Sequence, residues 1–222
     1  DEPVSWAMVG TTNLVHAACV DRNRELAATG APVRALIINS GNANCSTGQN
    51  GIDDNLRMAV AAARQAGLSG PEAVLTASTG VIGQRMPIDA IEAALPRLEE
   101  DLGDDSSGFA AAILTTDKVF KQVEVELPGG ARIVGVAKGS GMIHPNMATM
   151  LGFVMTDAQV SQDELRRMWS DVTDRSFNQV TVDGDTSPND MAFVFSSNLV
   201  PADAEALHAG LLRVAESLAR KI

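Results

Sequence analysis

From residue 33 onward, apolar and polar positions fall into blocks with recognisable periods. Residues 33–39 (VRALIIN) form a short, nearly continuous apolar run, the pattern of a buried strand, and a loop rich in Gly, Asn and Ser follows. An Ala-rich stretch over about 52–67 predicts a helix. Residues 73–78 (AVLTAS) predict a second short strand, which runs into the turn STGVIG at 78–83. Next comes a helix with Ile88, Ile91, Leu95 and Leu98 at helical spacing. Strand, glycine-containing loop and helix thus occur twice in succession. Residues 101–107 are a polar connection, and 109–114 predict another short helix ending near Thr115 and Thr116.

The period then shortens to two. Val123, Val125 and Leu127 alternate with polar neighbours, Pro128, Gly129 and Gly130 mark a turn, and ARIVGVAK returns as a partner strand ending at Lys138, which predicts a hairpin. After the loop GSGMIHPN, residues 148–155 predict a strand apolar on both faces. Ser161 and Glu164 have capping-box spacing for a helix carrying Leu165, Met168, Trp169 and Val172. FNQVTVD (177–183) and MAFVF (191–195) predict two more strands, and Asp203 caps a last helix with Leu207, Leu211, Val214, Ala215 and Leu218 on one face. The sum is a mixed α/β chain, with apolar strands in the middle of a layered fold and amphipathic helices outside.

Composition narrows the chemistry. The 222 residues are 45% hydrophobic, which suits a globular protein. No apolar run approaches the roughly 18 residues of a membrane span, and DEPVSW at the start lacks the pattern of a secretion signal. The net charge of −11 and the lack of a basic stripe argue against nucleic acid, and at most favour encounter with a cationic amino acid. Cys19 and Cys45 form no CxxC pair or disulfide framework, which fits a reducing cytoplasm. His16, His144 and His208 are scattered, so neither a metal nor another cofactor is expected. NSGNANCSTG (39–48) lacks the Gly-Lys-Ser/Thr ending of a phosphate loop. In VDGDTSPND, Asp183, Asp185, Ser187 and Asn189 alternate as calcium ligands would. Pro188 and Val194, however, stand where such a loop needs Gly and Glu.

The segment KGSGMIHPNMATML (138–151) carries the sharpest signal, because a glycine-broken loop delivers Thr149 to the start of an apolar run. A threonine hydroxyl needs a base beside it, and its own α-amine can serve once the preceding peptide bond is cut. Here that bond is Ala148–Thr149. Pattern alone leaves other readings open: Thr149 as a β-branched strand residue, STGVIG as a tight turn, Lys138 as a solvated side chain, Thr115 and Asp117 as helix-end residues.

Five blocks, in order, narrow those readings. NSGNANCSTG, STGVIG, ILTTD (113–117), KGSGMIHPNMATML and SFNQVTVDGDTSPND (176–190) together resemble the ornithine acetyltransferase family, also called ArgJ or bifunctional glutamate N-acetyltransferase. The resemblance implies a helix, sheet, sheet, helix sandwich related to the aminopeptidase DmpA. It implies self-cleavage between Ala148 and Thr149, giving an α segment (1–148) and a β segment (149–222), with two of each per assembly. Thr149 is then the nucleophile, Thr79 and Gly80 form the oxyanion hole, and Thr115, Lys138 and Thr149 bind substrate. The implied reaction moves acetyl from N-acetyl-L-ornithine to L-glutamate in arginine biosynthesis, and some relatives also use acetyl-CoA. The alternatives are a DmpA-like aminopeptidase or hydrolase with the same nucleophile, and an inactive remnant. Members of the family extend before residue 1 and beyond Ile222, so the chain is expected to be incomplete. CST in the first block and Pro188 in the last depart from the family pattern, and Pro188 removes a backbone donor.

Overall fold

The computed structural model describes residues 4–142 and 150–222, so Ala148, Thr149 and His144 lie outside the described residues. In chain order the elements are β1 (Ser5–Gly10), α1 (Ala18–Thr29), β2 (Ala35–Asn42), α2 (Gly48–Gln65), β3 (Val74–Val81), α3 (Ile88–Glu100), α4 (Ser106–Ala112), β4 (Lys121–Glu126), β5 (Arg132–Lys138), β6 (Leu151–Ala158), α5 (Gln162–Asp174), β7 (Met191–Val200) and α6 (Ala204–Ala219). The mixed α/β class expected from the sequence is what the chain has. It divides into two compact units, Leu14–Thr115 and Asp1–Asn13 with Thr116–Ile222.

In the Leu14–Thr115 unit, β2 and β3 pair in parallel, with Ala35 opposite Val74 and Gly41 opposite Gly80. Parallel neighbours need a crossover, and α2 supplies it. Met58, Ala59, Ala61 and Ala63 of α2 join Ile37, Val74, Met86, Ile88 and Leu95 in one apolar cluster, the burial that holds this unit together. Two helix boundaries differ from the pattern reading. Helix α2 starts at Gly48, where the loop before it closes on itself: Asn44 Nδ2 donates to the Gly51 carbonyl at 2.8 Å, and the Thr47 hydroxyl donates to Asn44 Oδ1 at 3.0 Å. Helix α4 starts at Ser106 because the Asp105 carboxylate accepts the Ser107 N–H at 2.9 Å. Leu98, expected on the buried face of α3, lies outside the cluster and is 52% exposed.

The other unit is built on one sheet, ordered β1-β7-β6-β5-β4. Only β6 and β7 run parallel, and α5 makes the connection. Because side chains alternate along a strand, one face presents Ala7, Val125, Ile133, Val154 and Val194 to a core shared with Leu165, Trp169, Leu211, Val214 and Leu218 of α5 and α6. Gly135 lets α6 lie close, since a Cβ there would run into the side chains of Val214 and Leu218. On the opposite face Phe153 stacks on Phe193 at 5.6 Å between ring centres, and Phe193 stacks on Phe195. The caps read from the sequence are in place: Ser161 Oγ accepts the Glu164 N–H, and Asp203 accepts the Ala206 N–H.

Residues 177–183, expected as a strand, are not one. Phe177–Gln179 form a 3-10 turn, and no strand follows before β7. Two causes are visible. Phe177 is pulled into the core edge-on to Trp169, and β6 already has β5 and β7 on its two sides, so residues 177–183 cannot pair with β6. The alternating valines end with Val182 exposed. Strand β1 and helix α1 lie before residue 33, where the pattern reading begins.

Candidate functional site

The Leu14–Thr115 unit holds three of the residues singled out above. Thr79 is the last buried residue of β3, and Gly80 and Val81 emerge after it. Gly80 has φ +132°, a conformation that L side chains rarely adopt, and a Cβ on it would overlap the Gly41 carbonyl carbon and the Asn42 nitrogen. Glycine is therefore required twice over, by the dihedral and by the approach of β2. The NSGNANCSTG loop is stitched to the STGVIG turn: Ala43 N–H donates to Val81 at 2.9 Å, Gly83 N–H to Cys45 at 2.9 Å, and Asn42 Nδ2 to the Gln84 and Arg85 carbonyls at 3.1 and 3.2 Å. Arg85 in turn reaches the buried Asp54 carboxylate at 3.1 Å. Ser40, opposite Thr79 in the ladder, donates its hydroxyl to the Leu114 carbonyl at 3.0 Å. That bond ties the end of the β2–β3 pair to the residue before Thr115, which is exposed.

The other unit holds Lys138. As expected from the sequence, Lys138 ends β5, where it lies opposite Leu151 of β6. It is not the solvated side chain that pattern alone allows, being only 1% exposed. Burial pushes its pKa below the ordinary lysine value, and the negative charges of Asp117 and Asp190 pull the other way. Asp117, which pattern leaves as a turn residue, is a buried anchor. Its Oδ1 accepts Lys121 Nζ at 2.6 Å and the Gly139 N–H at 2.7 Å, and its side chain is 0% exposed. Burial alone would raise its pKa, but Lys121 and the Gly139 amide outweigh it and hold the carboxyl below its usual range. The turn that follows Lys138 is thereby fixed at its first peptide.

A depressed carboxyl pKa contributes stability that is present above the unfolded value, about 3.9, and lost as pH falls through the folded value. Asp117→Asn is expected to remove that acid-side step from a pH series of thermal melts. It should also cost about 3–5 kcal/mol near neutral pH in a denaturant titration, because Lys121 is left buried without its partner.

Two further aspartates come from the VDGDTSPND loop. Asp183 Oδ2 accepts the Met142 N–H at 2.6 Å, and Asp190 Oδ1 accepts the Met150 N–H at 2.9 Å. Asp190 is 1% exposed, and its Oδ2 meets no donor among the described residues. Burial pushes this carboxyl well above its ordinary range, against the pull of the Met150 amide, Ser187 and Lys138. Sequence reasoning weighed this loop as a calcium look-alike and passed over Asp190. The available signal is an acid placed directly before an apolar strand, where only a fixed partner offsets its burial.

The remaining reactive side chains fit other roles. Burial raises the Cys19 thiol to about 12, so at neutral pH it is not a thiolate nucleophile. His16 and His208 sit beside Asp21 and Asp171 at 2.9 and 2.8 Å. Among the described residues no group of three His, Cys, Asp or Glu side chains is placed to hold a metal, and no helix is long and apolar enough to cross a membrane.

Known proteins resemble this chain throughout its length. The model of the ArgJ family matches residues 1–222. The arginine biosynthesis bifunctional protein ArgJ of Thermus thermophilus is 52% identical over 221 residues, and that of Deinococcus radiodurans 50% over 219. These alignments take in 99% and 98% of the chain but only 57% and 56% of the two relatives, so the chain spans little more than half their length. Among solved structures, the ornithine acetyltransferase of Mycobacterium tuberculosis, complexed with ornithine, superposes with a TM-score of 0.61 at 34% identity over 65% of this chain and 77% of that one. The ArgJ protein of Bacillus halodurans gives 0.52 at 36% identity, over 64% of this chain and 75% of its own. With its whole length matched by the family model, and half or more of its aligned residues identical in the Thermus and Deinococcus relatives, the chain belongs to the ArgJ family.

Proposed function

We propose that this chain is the nucleophile-bearing part of an acetyltransferase of arginine biosynthesis, one that transfers acetyl from N-acetyl-L-ornithine to L-glutamate through an acetyl ester on Thr149. The observation that carries the reading is the buried ammonium of Lys138, which lies opposite Leu151, two residues after Thr149 in the sequence. Donor and acceptor are both α-amino acids with a free carboxylate. One buried cation suits both halves of the exchange.

The chemistry begins with the protein itself. The Thr149 hydroxyl attacks the Ala148 carbonyl, the acyl group shifts from nitrogen to oxygen, and water hydrolyses the ester. This leaves a carboxylate on Ala148 and a free α-amine on Thr149. That amine, with an unperturbed pKa of about 7.7–8.0, is neutral in a useful fraction at physiological pH, and the neutral form takes the hydroxyl proton. The hydroxyl then attacks the acetyl carbonyl of N-acetylornithine. Thr79 and Gly80 stabilise the oxyanion, ornithine leaves with the proton on its amine, and the amine of glutamate attacks the acetyl-threonine. Thr115 and Lys138 contribute to substrate binding. The α and β segments stay together after the cut because β5 and β6, on either side of it, are hydrogen-bonded neighbours; two copies of each make the assembly. The setting is cytoplasmic, no cofactor enters, and acetyl-CoA is a second donor.

A covalent acetyl carrier predicts parallel double-reciprocal plots when N-acetylornithine and glutamate are varied together. It also predicts exchange of labelled ornithine into N-acetylornithine with no glutamate present. Intersecting plots with no exchange would refute the carrier. Acetyl release to water unaffected by glutamate would favour the hydrolase alternative.

A further inference from the structure

Both described borders of the stretch 143–149 are tied to one loop. Met142 donates its N–H to Asp183 and Met150 donates its N–H to Asp190, so the aspartates that begin and end that loop hold the two flanks of the expected cleavage segment. They differ in setting. Asp183 is exposed, where a hydrogen bond of this kind competes with water, whereas Asp190 is buried, where it does not.

Asp190 is itself firmly held. Its carbonyl accepts the Thr11 N–H at 2.9 Å, and the Thr11 hydroxyl donates to the Ser187 carbonyl at 2.7 Å. Asn13 Nδ2 reaches the Thr186 carbonyl and hydroxyl at 3.1 and 3.0 Å. Asp190 directly precedes β7, which pairs in parallel with β6, with Met191 opposite Leu151. Its carboxyl therefore crosses from the foot of β7 to the amide just before β6.

We propose that Asp190 is a positioning residue for the nucleophile: by accepting the Met150 N–H it fixes the peptide that joins Thr149 to Met150, and with it the aim of the Thr149 hydroxyl. This rests on the reading of Thr149 as a self-cleaving nucleophile and adds what orients it. The physical need is greatest after cleavage. Thr149 is then a chain terminus whose one covalent restraint is that peptide, and termini fray unless tied down. Both the self-cleavage and the acetyl transfer demand a near-attack geometry, in which a displacement of about 1 Å costs on the order of 10²-fold in rate. Accepting a hydrogen bond requires an oxygen and no negative charge, so an amide oxygen at the same position serves as well.

The test compares Asp190→Ala and Asp190→Asn with the wild type in the full chain, following cleavage by intact mass and transfer by steady-state kinetics. Asp190→Ala is expected to slow cleavage about 10²-fold and to lower kcat by a similar factor, with KM for N-acetylornithine within about threefold of wild type. Asp190→Asn should return both rates to within about tenfold of wild type. A folded Asp190→Ala chain that cleaves and turns over at the wild-type rate overturns the proposal. So does an Asp190→Asn chain as slow as Asp190→Ala, since charge or acidity would then be what matters. If near-ultraviolet circular dichroism shows that Asp190→Ala does not fold, Asp190→Ser, with a hydroxyl too short to reach the Met150 amide, is read in its place. A wild-type chain that never cleaves fails differently, because it removes the reading of Thr149 itself.

Discussion

Thr149→Ala is expected to leave one uncut chain that never gains an acetyl group, with transfer reduced by roughly 10⁴-fold or more. The size follows from the double use of one residue. Removing the hydroxyl removes the group that breaks the Ala148–Thr149 bond, and without that break no α-amine exists to act as base. Thr149→Ser separates these roles from the methyl group, because it keeps a hydroxyl and gains a base on cleavage. It should cut and transfer measurably, more slowly for want of the β-branching that restricts χ1. A band pattern on a denaturing gel and one kinetic assay distinguish the three proteins. A Thr149→Ala chain that is cut and fully active would remove the nucleophile from the account.

Gly80→Ala is expected to be the next most damaging change. Its φ of +132° costs any other residue about 1–3 kcal/mol, and the new Cβ meets backbone atoms of Gly41 and Asn42, which cannot swing aside as a side-chain tip can. The strands must part at the point where Thr79 leaves the core. If Gly80 is an oxyanion donor, the expected loss in kcat is about 10²–10³-fold beyond any loss of stability. Gly83→Ala provides the contrast. Gly83 also has positive φ, +80°, but a Cβ there meets nothing within 4 Å, so strain alone is added and kcat should change by less than about tenfold. Equal kcat losses in the two variants would argue that the turn's conformation matters, with no special place for Gly80.

Much of this molecule is legible in its sequence because its elements announce themselves by local physics. The β4–β5 hairpin follows from alternation and a Pro-Gly-Gly turn, α5 and α6 from Ser161 and Asp203 caps before apolar stripes, and the strands β2 and β3, though not their pairing, from two apolar runs followed by glycine loops. The failures share a different cause. Residues 177–183 alternate as a strand does, yet Phe177 is drawn into the core against Trp169, and β6 is already paired on both sides. Lys138 reads as an ordinary surface cation until Asp117 and Asp190, 21 positions before and 52 after it in the sequence, are seen to supply the opposing charges. The same holds for Asp190, whose partner amide at Met150 lies 40 positions away. Gly80 is intermediate: a glycine after an apolar strand suggests a turn, but its contact with Gly41 depends on a parallel register that local pattern does not specify.

The central claim is that Thr149 frees its own amine and then carries acetyl between two amino acids. Intact mass measurement of the purified chain, before and after a brief incubation with N-acetylornithine alone, addresses both halves at once. The account predicts two fragments that separate before Thr149, with the mass of one acetyl group added to the fragment that begins there and removed when glutamate follows. A single uncut chain that transfers acetyl at full rate, or a cut chain that transfers without ever gaining that mass on the Thr149 fragment, would contradict it.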